Sequence, residues 1–229
     1  MPTAPPDILF FGGSFDPPHC GHLAIAKAAQ RALATTGAEP ALVLFAPVGR
    51  QPLKPAGSSA SFEDRVAMTR LAIAHHPGFE LTLADAPNPA HSNPNYTIDT
   101  LLDLRTQYPR DTRWHLLLGA DSFRTLHHWH RAPEIPFAAS LIVAARPGED
   151  LTDLSSLLPP PLTLTPLATH RYRIENPTGA QANLLLLPNL HYDISATHLR
   201  DQINDLSGNP QHLLPQTVLD YIHHHHLYR

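Results

Sequence analysis

Short apolar runs alternate along the chain with stretches in which apolar residues recur every three or four positions. The runs occupy 8–11, 41–46, 79–84, 114–118, 140–145 and 184–187. Most are continuous rather than alternating, as in strands buried on both faces of a parallel sheet. The periodic stretches, 22–35, 62–76, 97–108, 122–129, 197–205 and 215–227, read as helices. Ser61 followed by Asp64 marks the start of the second of them. Strand and helix in alternation predict an α/β fold: a doubly wound, mostly parallel, Rossmann-like sheet with helices on both faces and a helical C-terminal part. Ligands of such sheets bind outside the carboxyl ends of the strands, near the point where strand order reverses.

One stretch breaks the pattern. Residues 146–183 hold Pro147, Gly148, Pro159-Pro160-Pro161, Pro166 and Pro177 without clear periodicity. A segment of that length is read as an elaborated loop with small strands or as a flexible flap. No repeat and no second core accompany it, so the chain is expected to form one domain, 1–229, with an irregular Pro-rich insert at 146–183.

Composition narrows the possible functions. The chain has 229 residues, with 16 Lys and Arg against 20 Asp and Glu, for a net charge of −4. That balance argues against a nucleic-acid partner, which calls for a basic face. No apolar run approaches the roughly 18 residues of a membrane span. The N-terminal residues lack the basic-then-apolar pattern of a signal peptide. A single cysteine, Cys20, allows no internal disulfide and fits a reducing, cytoplasmic setting. Oligomeric state is not legible at this level.

The chemistry concentrates in a few segments. Gly12-Gly13-Ser14-Phe15-Asp16-Pro17-Pro18-His19-Cys20-Gly21-His22 joins the first strand to the first helix. Glycines there let backbone approach a phosphate, and unpaired helix N–H groups point at it. His19 and His22, three apart, share one helical face and can reach the same anion. Asp16 caps the helix or orients a histidine. Ser195, Thr197 and Arg200 open a later helix, where hydroxyls, amides and a guanidinium suit a polyphosphate, although an ordinary Ser cap with a surface Arg has the same spacing. Lys54, with Arg50, lies in the loop after the second strand and can act as a mobile cation or simply be solvated. Gly119 and Asp121 follow a strand, which suits Asp121 to a ribose hydroxyl, a metal or a helix cap. Trp129 can stack on a flat ring or belong to the core. Tyr96 and Thr97 open a helix whose amides can meet an anion. The His223–His226 run points in several directions around its helix and is not read as a metal site.

These residues resemble those of a known family. The segment 12–22 is similar to the signature of the nucleotidyltransferase superfamily, with its H-x-G-H element. Ile194-Ser195-Ala196-Thr197-His198-Leu199-Arg200 is similar to that superfamily's second signature. The blocks at 61–68, 96–101, 118–122 with Trp129, and 214–228 resemble the bacterial nicotinate-nucleotide adenylyltransferases. The resemblance implies transfer of the adenylyl group of ATP to nicotinate mononucleotide, giving deamido-NAD and pyrophosphate, with Mg²⁺. It implies that Gly12, Gly13, Ser14, Phe15 and Gly21 line the ATP site and that His19 and His22 hold the phosphates. Ser195, Thr197 and Arg200 grip the triphosphate, Lys54 supplies a cation, and Gly119 and Asp121 contact nucleotide. Trp129 stacks on the pyridine, whose carboxylate meets the backbone of Tyr96 and Thr97. No metal-binding side chains are implied. Two departures stand out: Ala196 replaces the commoner second Ser, and Gln51-Pro52-Leu53-Lys54 replaces a P-P-H-K-like loop. The insert has no evident counterpart. On the same resemblance, nicotinamide mononucleotide or pantetheine phosphate are rival substrates, and a nucleotide-binding sensor is the non-enzymatic rival.

Overall fold

A computed structural model describes residues 6–34, 40–50, 57–87, 94–145, 151, 153–188, 190, 196–204 and 213–229. Among these, eight strands form one sheet: β1 (Asp7–Gly13), β2 (Leu42–Pro47), β3 (Phe79–Leu81), β4 (Arg113–Gly119), β5 (Ser140–Ala144), β6 (Thr163–Ala168), β7 (Arg171–Glu175) and β8 (Gln181–Leu187). Their order is β3-β2-β1-β4-β5-β8-β7-β6. Every pair from β3 to β8 is parallel, while β7 and β6 continue the sheet antiparallel. Strand order therefore reverses between β1 and β4, where Phe10 pairs with Leu116. The expected doubly wound, mostly parallel sheet is what forms.

Period-2 geometry divides each central strand between two cores. Ile8 and Phe10 join Leu116, Leu118, Leu141 and Val143 on one face, with Ile98, Leu101 and Leu104 of α3 (Thr97–Gln107) packed over them. Leu9 and Phe11 join Val43, Phe45, Leu117 and Ile142 on the other. That face is covered by α1 (Cys20–Leu33), α2 (Phe62–Ile73), α7 (Ala196–Asn204) and α8 (Gln216–His224). Three short helices complete the set: α4 (Ala120–Arg124), α5 (Ile135–Ala138) and α6 (Leu154–Leu157). Below the switch point, the Asp7 carboxylate accepts from Arg113 Nε at 2.9 Å and Nη2 at 2.6 Å and lies 2.9 Å from His115 Nε2, tying β1 to β4.

Several boundaries differ from expectation for local reasons. β3 stops at Leu81 rather than running to 84, because the Thr82 hydroxyl accepts from the Ala84 amide at 3.2 Å and turns the chain. α2 ends at Ile73 rather than 76, ahead of Pro77 and of Gly78 at φ +75°. The helix expected over 122–129 is instead α4 followed by a 3₁₀ turn, Leu126–His128. There the Thr125 hydroxyl bonds back to the Ser122 carbonyl at 3.1 Å and competes with helical continuation. Within 146–183, the described residues show an elaborated loop with small strands, β6 and β7, rather than a flap. Among the described residues no helix is long and apolar enough to cross a membrane.

Candidate active site

A cavity of about 1010 Å³ opens at the carboxyl ends of β1 and β4, at the switch point. Its wall brings together fourteen of the sixteen residues that the sequence nominates: Gly12, Gly13, Ser14, Phe15, His19, Gly21, His22, Tyr96, Thr97, Gly119, Asp121, Trp129, Thr197 and Arg200. Lys54 and Ser195 lie outside the described residues.

The glycine turn is shaped by steric need. A Cβ on Gly12 meets the Phe10 ring at 3.1 Å, and one on Gly13 meets the Phe15 ring at 3.2 Å. Phe15 itself is 1% exposed and stands at φ +47°. Its ring packs edge-on against Phe11 at 5.5 Å and against His22 at 5.0 Å. The side chain of Phe15 is thus a core residue, and what it offers a ligand is backbone.

His19 caps α1 and His22 sits in its first turn. The His19 amide donates to His22 Nδ1 at 3.2 Å. An Nδ1 that accepts this bond carries no proton, so the neutral His22 ring bears its proton on Nε2. From the same face of the sheet as α1, α7 contributes Arg200. Its Nη1 donates to the Asp16 carbonyl at 2.8 Å and its Nη2 to the Thr197 hydroxyl at 3.1 Å. Three helices of nine residues or more, α1, α3 and α7, each place a first-turn residue in the wall: Gly21, Thr97 and Thr197. Three positive dipole ends and a guanidinium facing one cavity make a site for a polyanion.

The opposite part of the wall is aromatic. Trp129 is partly buried against the core and lines the cavity. The Tyr96 ring, at the start of α3, stacks on His130 with centroids 4.2 Å apart. Asp121 sits at the exposed rim, its side chain 3.8 Å from Arg124.

Some residues of the site escaped the sequence reading. Asp85 follows β3 and is 4% exposed in the cavity wall, where it accepts a hydrogen bond from the Thr100 hydroxyl. Burial pushes its carboxyl up to about 6, against the lowering effect of Thr100. An Asp just beyond a strand's carboxyl end was the signal available, as for Asp121. Arg65 of α2 is 2% exposed beneath the turn; its Nη1 donates to the Ser14 carbonyl at 2.7 Å and its Nη2 to the Val48 carbonyl at 2.9 Å. Burial lowers its pKa, with the Asp16 carboxylate opposing, and a guanidinium so placed stays charged. Cys20 is pushed up by burial, which keeps the thiol protonated despite its place at a helix N-terminus.

Among the described residues, no three His, Cys, Asp or Glu side chains gather in a group that could hold a metal ion. Of the acids in the wall, Asp16 accepts from the Ser59 and Ala60 amides at 2.6 and 3.1 Å, and Asp85 accepts from Thr100. This donor set fits a divalent ion that arrives coordinated by a polyphosphate and water rather than one caged by side chains.

Comparison with known proteins identifies the family and the fold. The family model described as cytidylyltransferase-like matches residues 10–202. A protein of Gloeobacter violaceus named "Probable nicotinate-nucleotide adenylyltransferase" is 38% identical over 218 residues, covering 95% of this chain and 94% of that protein. A protein of the same name from Aeromonas salmonicida is 38% identical over 232 residues, covering 100% of this chain and 99% of that protein. A solved structure of Plasmodium falciparum nicotinic acid mononucleotide adenylyltransferase complexed with NaAD superposes with a TM-score of 0.69 at 16% identity, over 97% of each chain. At that identity the superposition speaks for the fold alone.

Proposed function

Because this chain belongs to the cytidylyltransferase-like family, and within it to the nicotinate-nucleotide adenylyltransferases, we propose that it transfers the adenylyl group of ATP to nicotinate mononucleotide. The products are deamido-NAD and pyrophosphate, and the reaction belongs to NAD biosynthesis. The observation that carries this reading is the single cavity in which three helix N-termini, His19, His22 and Arg200 meet, opposite an aromatic wall of Tyr96 and Trp129. The first part suits a triphosphate, the second a pyridine ring.

The chemistry asks little covalent work of the protein. A phosphate oxygen of the mononucleotide attacks the α-phosphorus of ATP, and pyrophosphate leaves in line. That oxygen is already anionic, so no side chain is needed as base or nucleophile. The protein positions two anions and meets charge where it develops. In this reading Gly12, Gly13, Ser14, Gly21 and the Phe15 backbone form the nucleotide floor. His22 donates its Nε2 proton to the phosphates beside His19, and Arg200, Thr197 and Ser195 hold the leaving pyrophosphate. Lys54 adds a further cation, and Gly119 and Asp121 border the nucleoside. Trp129 stacks on the pyridine, with its carboxylate at the Tyr96–Thr97 backbone. Mg²⁺ carried by ATP is the assigned cofactor; when bound it neutralises charge on the departing pyrophosphate. We place the activity in one domain, 1–229, in the cytoplasm.

Pyrophosphate release with ATP and Mg²⁺ tests the proposal, run beside each other with nicotinate and nicotinamide mononucleotide. Strong preference for the acid supports it. Equal or reversed preference reassigns the chain to direct NAD synthesis, and no turnover with either reopens the other nucleotidyltransferase substrates and the nucleotide-binding sensor.

A further inference from the structure

The turn that ends β1 is held from outside the cavity as well as from within. Phe15 keeps its left-handed backbone only because its surroundings over-determine it. Arg65 grips the Ser14 carbonyl and Arg200 the Asp16 carbonyl. The Asp16 carboxylate, 5% exposed, is fixed by three donors: the Ser59 amide at 2.6 Å, the Ala60 amide at 3.1 Å and the Tyr228 hydroxyl at 2.7 Å. Tyr228 lies beyond α8, in a turn where His226 and Tyr228 both take positive φ, +55° and +61°. It packs against the core face and is not in the cavity wall. Burial and the neighbouring Asp16 anion raise its pKa, so the hydroxyl remains a donor.

The Asp16 carboxylate stands 4.0 Å from Arg200 Nη1. That is close enough to attract and too long for a hydrogen bond. We infer that Tyr228 is a positioning residue for the polyphosphate end of the site: its hydroxyl holds the Asp16 carboxylate toward α2 and so leaves the charge of Arg200 for substrate. Without the hydroxyl, Oδ1 retains only the Ala60 amide, and Oδ2, the oxygen nearest Arg200, only the Ser59 amide. The carboxylate then turns toward Arg200, pairs with it and neutralises the guanidinium where the phosphates bind. The glycine turn loses one of its anchors in the same step.

This inference rests on reading the cavity as an ATP site, and the test separates the two. Calorimetric titration of ATP is compared for the unmodified chain, Tyr228→Phe and Tyr221→Phe. Tyr221 is the control: it stands on α8 itself, and its hydroxyl donates to Asp64 in the first turn of α2 at 3.0 Å rather than to Asp16. The expected result is a rise of about tenfold in the Kd for ATP in Tyr228→Phe, equivalent to about 1.4 kcal/mol of lost attraction between Arg200 and the phosphates. Tyr221→Phe keeps its ATP affinity within about twofold, both variants lose a similar few degrees of Tm, and the KM for the mononucleotide is unmoved in both. Unchanged ATP affinity in Tyr228→Phe, or an equal loss in the two variants, overturns the positioning role. Failure of the unmodified chain to bind ATP overturns the reading of the site instead.

Discussion

The imidazole rings of His19 and His22 stack with centroids 3.7 Å apart and planes 29° from parallel. The stack is set by the helix: His19 is the cap, His22 lies three residues on, and the His19 amide to His22 Nδ1 bond fixes the second ring. A donor so fixed costs no reorganisation when charge develops on a phosphate. His22→Ala is expected to lower kcat by about two to three orders of magnitude while the KM for ATP changes only modestly. Steady-state pyrophosphate release at saturating mononucleotide measures it, and near-normal kcat sinks the assignment.

Gly119 separates folding from binding. It caps α4 at φ −72°, a conformation open to any residue, and a Cβ there meets nothing within 4 Å. Yet it lines the cavity. Gly119→Ala is therefore expected to leave stability unchanged or raise it slightly, by up to the ~0.4–1 kcal/mol of a tolerated Gly-to-Ala change. Its methyl group enters the space meant for nucleotide, so the KM for ATP rises several-fold. Thermal melts beside ATP titrations check both halves, and a fall in Tm with intact affinity contradicts the reading.

Arg65 carries the reverse signature. Its guanidinium closes the gap between the Ser14 and Val48 carbonyls in a buried setting. Arg65→Met strands both acceptors and removes the charge facing Asp16; the expected cost is about 3 kcal/mol or more of stability. Arg65→Lys recovers only part, because one ammonium cannot reproduce a planar fork between two carbonyls. Arg70, exposed on the same helix, is the control and changes stability by less than ~0.5 kcal/mol as Ala. Urea unfolding of the three variants ranks them, and an Arg65→Met midpoint equal to that of Arg70→Ala refutes the account.

Six strands and the main helices were legible because burial on both faces writes continuous apolar runs, as in Leu116-Leu117-Leu118 of β4. β6 and β7 were not, since a half-exposed antiparallel pair writes weak alternation, and Pro166 inside β6 reads as a break. Pro166 is tolerated because β6 is the edge strand. Cavity residues carried by a compact motif, such as His19, His22 and Arg200, could be named in advance. Arg65 and Tyr228 fall within the family-like blocks 61–68 and 214–228, yet their roles could not be named, and Asp85 went unnoticed, because each acts through a partner distant in sequence: Ser14, Asp16 and Thr100. Spacing along the chain carries no trace of such pairings.

Asp85 makes stability depend on pH with a definite sign. Its carboxyl moves from 3.8 to about 6 on folding, chiefly through burial. Below about pH 4 folded and unfolded chains both hold the proton, and Asp85 contributes nothing to the slope. Between about 4 and 6 the folded chain holds a proton that the unfolded chain has released, so stability falls as pH rises. Above about pH 7 the cost is complete, about 3 kcal/mol for a shift of roughly two units. Asp85→Asn keeps an oxygen to accept from Thr100 and removes the buried charge. It is expected to exceed the unmodified chain in stability by up to about 3 kcal/mol at pH 8, with the gap narrowing below about pH 7 and closed by about pH 4. Urea midpoints of the two proteins at pH 4, 6 and 8 measure the gap. A difference that stays constant across that range means that ionisation of Asp85 is not what the fold opposes.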